Sequence, residues 1–121
     1  MSWSGVKKQT NIENIKTWCD EMDIRNYTIN DKEEIDVDGD VNLSYKHFKE
    51  LPYKFGKVNG YFSLSRNKNL ISLKNCPNYI MGNNMFDIDC CYQLNSLEGC
   101  PKEVGGVFIV EVVNENLQKK K

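Results

Sequence analysis

Five cysteines (Cys19, Cys76, Cys90, Cys91 and Cys100) and a single histidine, His47, are the residues of this 121-residue chain best suited to covalent or metal chemistry. A structural zinc site needs thiolates or imidazoles at tight spacing, such as Cys-x2-Cys. The gaps between Cys76, Cys90, Cys91 and Cys100 are 14, 1 and 9 residues, so no metal site is expected. A cysteine nucleophile would want His47 as its base, and nothing in the sequence places the two together. The thiols are expected to be reduced, packed as small apolar side chains, in a cytosol-like (cytoplasmic) compartment.

The carboxylates give two further candidates. Asp36-Val-Asp-Gly-Asp-Val-Asn42 has the look of a calcium loop, but an EF-hand needs Gly at position 6 and Glu at position 12. Here Gly39 falls at position 4 and position 12 is His47. The alternative is a strand with outward carboxylates. Residues 20–40 carry nine acids against Arg25 and Lys32, a net of −7, which leaves +6 for the remainder of a chain whose total is −1. Such an acidic face would dock a basic partner or imitate nucleic acid; a solvated cap is the plainer reading. The near-neutral total argues against a dedicated nucleic-acid binder. No nucleotide loop, catalytic triad or paired-carboxylate motif is present, so a non-enzymatic chain without a cofactor is expected.

A different group stands out once strand alternation is applied. Asp40, Asn42 and Ser44; Tyr61, Ser63 and Ser65; Met85, Asp87 and Asp89; and Val107, Ile109 and Glu111 should face outward from a sheet. Tyr61, Met85, Val107 and Ile109 form an apolar strip beside the carboxylates of Asp87, Asp89 and Glu111. An aromatic and methionine patch with a charged rim suits protein binding, and these seven residues are the candidate partner site.

What would position them is an internal repeat. Apolar residues recur at 37, 58, 80 and 104, glycines at 39, 60, 82 and 106, and further apolar columns at 41, 62, 86, 108 and at 43, 64, 88, 110. Phe48, Leu70 and Leu94, and Leu51, Leu73 and Leu97, follow the same intervals of 22 and 24. The linkers Ser72-Leu-Lys-Asn-Cys-Pro77 and Ser96-Leu-Glu-Gly-Cys-Pro101 end almost identically. A period of 21–24 residues with one alternating strand per unit is the leucine-rich-repeat pattern. The expected fold is a leucine-rich-repeat-like β-solenoid (α+β) with about four short parallel strands and an N-terminal capping helix. One unit cannot offset its own ordering entropy; stacking buries the Phe and Leu columns as ladders, with the glycines serving turns by positive φ or close approach.

The whole chain, 1–121, reads as one domain. Residues 1–9 are assigned to a flexible N-terminus and 10–36 to a helical cap and opening hairpin. Repeats fill 37–113, and a polar tail with three lysines covers 114–121. Thr10 and Glu13 fit a capping box, and Ile12, Ile15, Cys19 and Met22 follow at helical spacing, so a helix is predicted over about 11–22. Tyr27–Ile29 and Ile35–Val37 flank a polar turn, as a hairpin or the opening rung. Residues 107–113 are the most β-prone stretch, with no cap after them, an edge suited to self-association or a partner. No apolar run approaches the ~20 residues of a membrane span, and the first residues lack a signal-peptide core.

Trp18-Cys-Asp-Glu-Met, Ile24-Arg-Asn-Tyr-Thr-Ile-Asn30, Ile35-Asp-Val-Asp-Gly-Asp-Val-Asn-Leu-Ser44, Leu51-Pro52, Phe55-Gly-Lys-Val-Asn-Gly60 and Ser96-Leu-Glu-Gly-Cys-Pro-Lys-Glu-Val-Gly-Gly106 resemble short leucine-rich-repeat-like proteins of large tailed bacteriophages and some bacteria. The likeness covers roughly residues 10–113. The chain departs from that pattern at the inserted Asn83-Asn84 and at Cys90-Cys91. The resemblance implies the repeat type and a phage-encoded setting, hence a host or phage protein as partner and a role as inhibitor of a host or defence protein in the host cytoplasm. The alternatives are a structural subunit oligomerising through 107–113 and an acidic nucleic-acid mimic; neither a membrane nor direct nucleic-acid contact is expected.

Overall fold

The computed structural model describes residues 3–110, with side chains from Asn11 onward. Helix α1 (Trp3–Glu21) comes first, followed by strands β1 (Tyr27–Ile29), β2 (Ile35–Val37), β3 (Val41–Asn42), β4 (Phe55–Val58), β5 (Phe62–Ser63), β6 (Tyr79–Ile80), β7 (Phe86–Asp87), β8 (Glu103–Val104) and β9 (Phe108–Ile109). The strands form a β-solenoid of about three turns. One sheet has the order β1-β2-β4-β6-β8, the other β3-β5-β7-β9. All pairings are parallel except the β1–β2 hairpin.

Each turn thus carries two strands, where the sequence suggested one. The apolar columns divide between the sheets: Val37, Val58, Ile80 and Val104 pair in register in one, and Val41, Phe62, Phe86 and Phe108 in the other. The break falls at the glycine. A Cβ on Gly60 would lie 2.2 Å from the carbonyl oxygen of Gly39, so backbones meet there too closely for a side chain. Of the glycines in that column only Gly82 has positive φ, +66°. Against the expected column, Gly105 rather than Gly106 lies on Gly82, while Gly106 donates to Asn84 O at 2.9 Å. Asn83-Asn84 lengthens the third turn, and the fourth glycine splits its contacts accordingly.

An aromatic spine runs through the core. Phe55–Phe62, Phe62–Phe86 and Phe86–Phe108 ring centroids are 5.0, 6.0 and 5.2 Å apart, and Phe55, Phe62 and Phe86 are fully buried. Each buried ring contributes on the order of 1.5–3 kcal/mol. Trp18 of α1 continues the spine, 5.9 Å from Phe55 and 5.7 Å from Tyr53. Ile15 and Cys19, one helical turn apart, are buried beneath it. Thr10 therefore lies inside the helix rather than capping it, and residues 3–9, expected to be flexible, are helical backbone. No proline interrupts the segment and Gly5 costs a helix only ~1 kcal/mol, so the helix propagates past the capping-box residues. Of the edge stretch 107–113, residues 111–113 lie outside the described residues, as do residues 1–2 and the tail 114–121.

Candidate interaction surface

The outer face of the β3-β5-β7-β9 sheet is built from three columns. Asn42, Ser63, Asp87 and Ile109 stack in direct register. Before them come Asp40, Tyr61, Met85 and Val107, whose alignment is fixed by Val41 N to Tyr61 O (2.8 Å), Phe62 N to Met85 O (3.0 Å) and Phe86 N to Val107 O (2.9 Å). After them come Ser44, Ser65 and Asp89, joined by Tyr45 N to Ser65 O and Arg66 N to Asp89 O. Glu111, the remaining candidate, lies outside the described residues. The other six candidates, Tyr61, Met85, Asp87, Asp89, Val107 and Ile109, share this one face.

The middle column shapes the strand ends. Asn42 Oδ1 accepts from Ser44 N at 3.1 Å, Ser63 Oγ from Ser65 N at 3.3 Å, and Asp87 Oδ1 from Asp89 N at 2.8 Å. Such short side-chain-to-backbone bonds end a strand by offering the backbone a local partner. The chain then turns through Tyr45, Arg66 and Cys90, non-glycine residues with φ of 60°, 61° and 61°. Each left-handed residue costs roughly 1–2 kcal/mol, a strain sustained by the stack on either side. Ile109 has no polar atom and cannot make the equivalent bond.

Val107 is 63% exposed and Met85 38%, while Tyr61 and Ile109 are half-buried. With adjacent strands ~4.8 Å apart, Tyr61, Met85 and Val107 make an apolar ridge along the stack. Asp40, Asp87 and Asp89 lie beside it. Neither Lys nor Arg occupies any described position in the three columns, and the ion pair present among the described residues, Arg25–Asp23, is elsewhere. The three columns themselves thus carry carboxylates and no cation, while Arg66, whose backbone N–H donates to Asp89 O at 2.8 Å, stands at their edge.

Part of the acidic N-terminal run is committed to the fold. Asp36 Oδ1 accepts from Lys57 N (2.9 Å), Asp38 Oδ1 from Asn59 Nδ2 (3.1 Å) and Asp40 Oδ1 from Tyr61 N (2.9 Å). These three carboxylates fasten the first turn to the second.

Sequence reading missed two features. One is the corner beside the face, where the Arg66 guanidinium sits 5.7 Å from the Tyr45 ring centroid and Tyr45 is 66% exposed. The other is Asn67, fully buried. Its Nδ2 donates to Leu43 O and Leu64 O, both at 2.8 Å, and its Oδ1 accepts from Lys46 N and Phe48 N. Cys91 takes the equivalent place one turn on, its Sγ donating to Leu64 O at 3.2 Å. The 24-residue interval between Asn67 and Cys91 was the available signal.

The thiols are for the most part enclosed. Cys19, Cys76, Cys90 and Cys91 are buried and Cys100 is half-buried. Burial pushes the Cys19 thiol up to about 12, with Asp20 adding to the rise. Burial likewise raises Cys91 to about 11 and Cys76 further still, against the opposing charge of Lys54. An activated thiol is shifted the other way. Among the described residues no three His, Cys, Asp or Glu side chains gather as a metal site, and no helix is long and apolar enough to cross a membrane. No protein-family model, curated protein or solved structure matches the chain.

Proposed function

We propose that this chain is a non-enzymatic protein–protein interaction module that holds its partner on the outer face of the β3-β5-β7-β9 sheet. The observation that carries the reading is the alignment of Tyr61, Met85 and Val107 as an apolar ridge flanked by carboxylates, with neither Lys nor Arg in the described columns of that face. Solenoids commonly bind through such extended faces, and aromatic and methionine side chains are over-represented at interfaces. The leucine-rich-repeat reading draws support from Asn67 and Cys91, which occupy the Asn-or-Cys place of that repeat pattern. On the resemblance to phage proteins, the partner is a host or defence protein in the host cytoplasm, and the chain is its inhibitor.

Affinity capture from infected or host lysate tests this. The wild type should retain a partner that the double variant Tyr61→Asp, Asp87→Lys loses while still unfolding cooperatively, with a thermal midpoint lowered no more than in Asp87→Ala, which removes the same bond to Asp89 N. Lys57→Glu, on the opposite sheet, should keep the partner. Equal capture by the double variant and the wild type would remove this face from consideration.

A second reading is self-association through the last turn. Phe108 and Val110 are half-buried where their counterparts Phe62, Phe86, Leu64 and Ile88 are fully buried, and free strand edges invite pairing. Sedimentation separates the two readings: a monomer at all concentrations speaks against association through that edge.

A further inference from the structure

Cys76 and Cys100 hold the same place in consecutive turns of the solenoid. Each closes a Leu-x-x-Cys turn, with Cys76 N donating to Leu73 O and Cys100 N to Leu97 O, both at 3.1 Å. Each follows a residue at positive φ, Asn75 at 74° and Gly99 at 93°, and each precedes a buried proline. The two turns are in contact: a Cβ on Gly99 would lie 2.7 Å from Leu73 O. Three residues further on, Tyr79 pairs with Glu103 and Ile80 with Val104, the same 24-residue offset that separates the cysteines. Neighbouring rungs of a parallel stack lie ~4.8 Å apart, within the ~4.4–6.8 Å between Cα atoms that a disulfide spans.

The surroundings suit exchange chemistry of a slow kind. Both side chains pack against the same apolar core, Cys76 buried and Cys100 half-buried. The half-buried Lys54 ammonium donates to Cys76 O and to Asn78 Oδ1, the latter at 2.9 Å. Its charge favours the Cys76 thiolate in a site where desolvation disfavours it. Cys100, the more accessible, is the entry point.

We propose that Cys76 and Cys100 are an oxidisable pair that closes one full turn of the solenoid covalently by exchange with a small-molecule disulfide such as glutathione disulfide. The Cys100 thiolate attacks one sulfur of glutathione disulfide, forming a mixed disulfide and releasing one glutathione thiolate. The Cys76 thiolate then attacks Cys100 Sγ, breaking the mixed disulfide and releasing the second. Two protein thiols are oxidised by two electrons, one disulfide is reduced to two thiols, and the two protons pass to the released glutathiones.

Incubation of the native, reduced protein with glutathione disulfide over hours, then mass spectrometry of intact protein and of protease fragments, tests this without substitutions. The expected product has lost two hydrogens, carries a Cys76–Cys100 linked peptide, and shows three free thiols after denaturation in place of the five in the sequence. Its thermal midpoint is higher than that of the reduced form and returns on treatment with dithiothreitol. A stable glutathione adduct on Cys100 alone, a link through Cys90 or Cys91 in its place, or five unmodified thiols would each overturn the proposal.

Discussion

The two ends of the stack solve the same problem differently. At the start, α1 and the β1–β2 hairpin cover the first turn. Ile15, Cys19 and Ile24 are buried under them, and Trp18 meets Phe48, Tyr53 and Phe55 at centroid distances of 5.7 to 6.2 Å. At the other end, Val104, Phe108 and Val110 keep their places in the columns but remain half-buried, with no described element over them. The repeat is thus equivalent in geometry and unequal in desolvation. A residue's contribution should depend on its distance from the covered end, as in a stack whose units stabilise one another through neighbours.

The largest test of that inequality uses one substitution at two heights. Phe86→Ala, in the fully enclosed position, should cost about 3–5 kcal/mol, a large share of the ~5–15 kcal/mol typical of a domain. Phe108→Ala should cost about 1–2 kcal/mol, because part of that ring is already in water. Urea unfolding measures both. Equal losses would mean that the last turn is covered as well as the middle one.

A smaller effect compares the second turn with the third. Asn67→Ala takes the side-chain partner from Leu43 O and from the Lys46 and Phe48 N–H groups, and leaves Leu64 O with the Cys91 thiol; at ~1–3 kcal/mol per orphaned group a loss of about 3 kcal/mol is expected after local relaxation. Cys91→Ala removes one weak thiol bond to Leu64 O and a little volume, and should cost about 1 kcal/mol. The comparison would break if the cysteine proved as costly as the asparagine.

The smallest effect, read over the first pH unit above 9, is one of pH. Cys19, under the helix, has its pKa raised from 9.0 to about 12. The folded state then keeps a proton that the unfolded state loses, so stability is full below pH 9 and falls as pH rises from 9 towards 12. The thermal midpoint should decline over that window, and less steeply in Cys19→Ala. Identical slopes would show that the thiol at the covered end is not the titrating group.

Much of the stack was legible in the sequence because parallel rungs place like residues on like. Val41, Phe62, Phe86 and Phe108 show as a column for that reason, and so do Leu43, Leu64, Ile88 and Val110. The two-strand character of each turn was not legible. Val37 and Val41 keep an alternating pattern across Gly39, and alternation alone does not reveal that the chain changes sheets there. The start of α1 was misplaced because a capping-box sequence can also sit inside a helix when nothing upstream breaks it. The face was legible through alternation, yet the Tyr45–Arg66 corner was not. Non-glycine residues at positive φ carry no sequence mark, and their conformation is imposed by the strand-ending bonds of Asn42 and Ser63.

The claim on which the rest depends is the in-register alignment that lines up both the core rings and the outer ridge. Proton NOE spectra of the protein with selectively labelled phenylalanine report it directly. Ring contacts in the order Phe55–Phe62–Phe86–Phe108, with Trp18 touching Phe55, are the expected result. Rings of Phe62 and Phe86 without a mutual contact would contradict the alignment and the surface built on it.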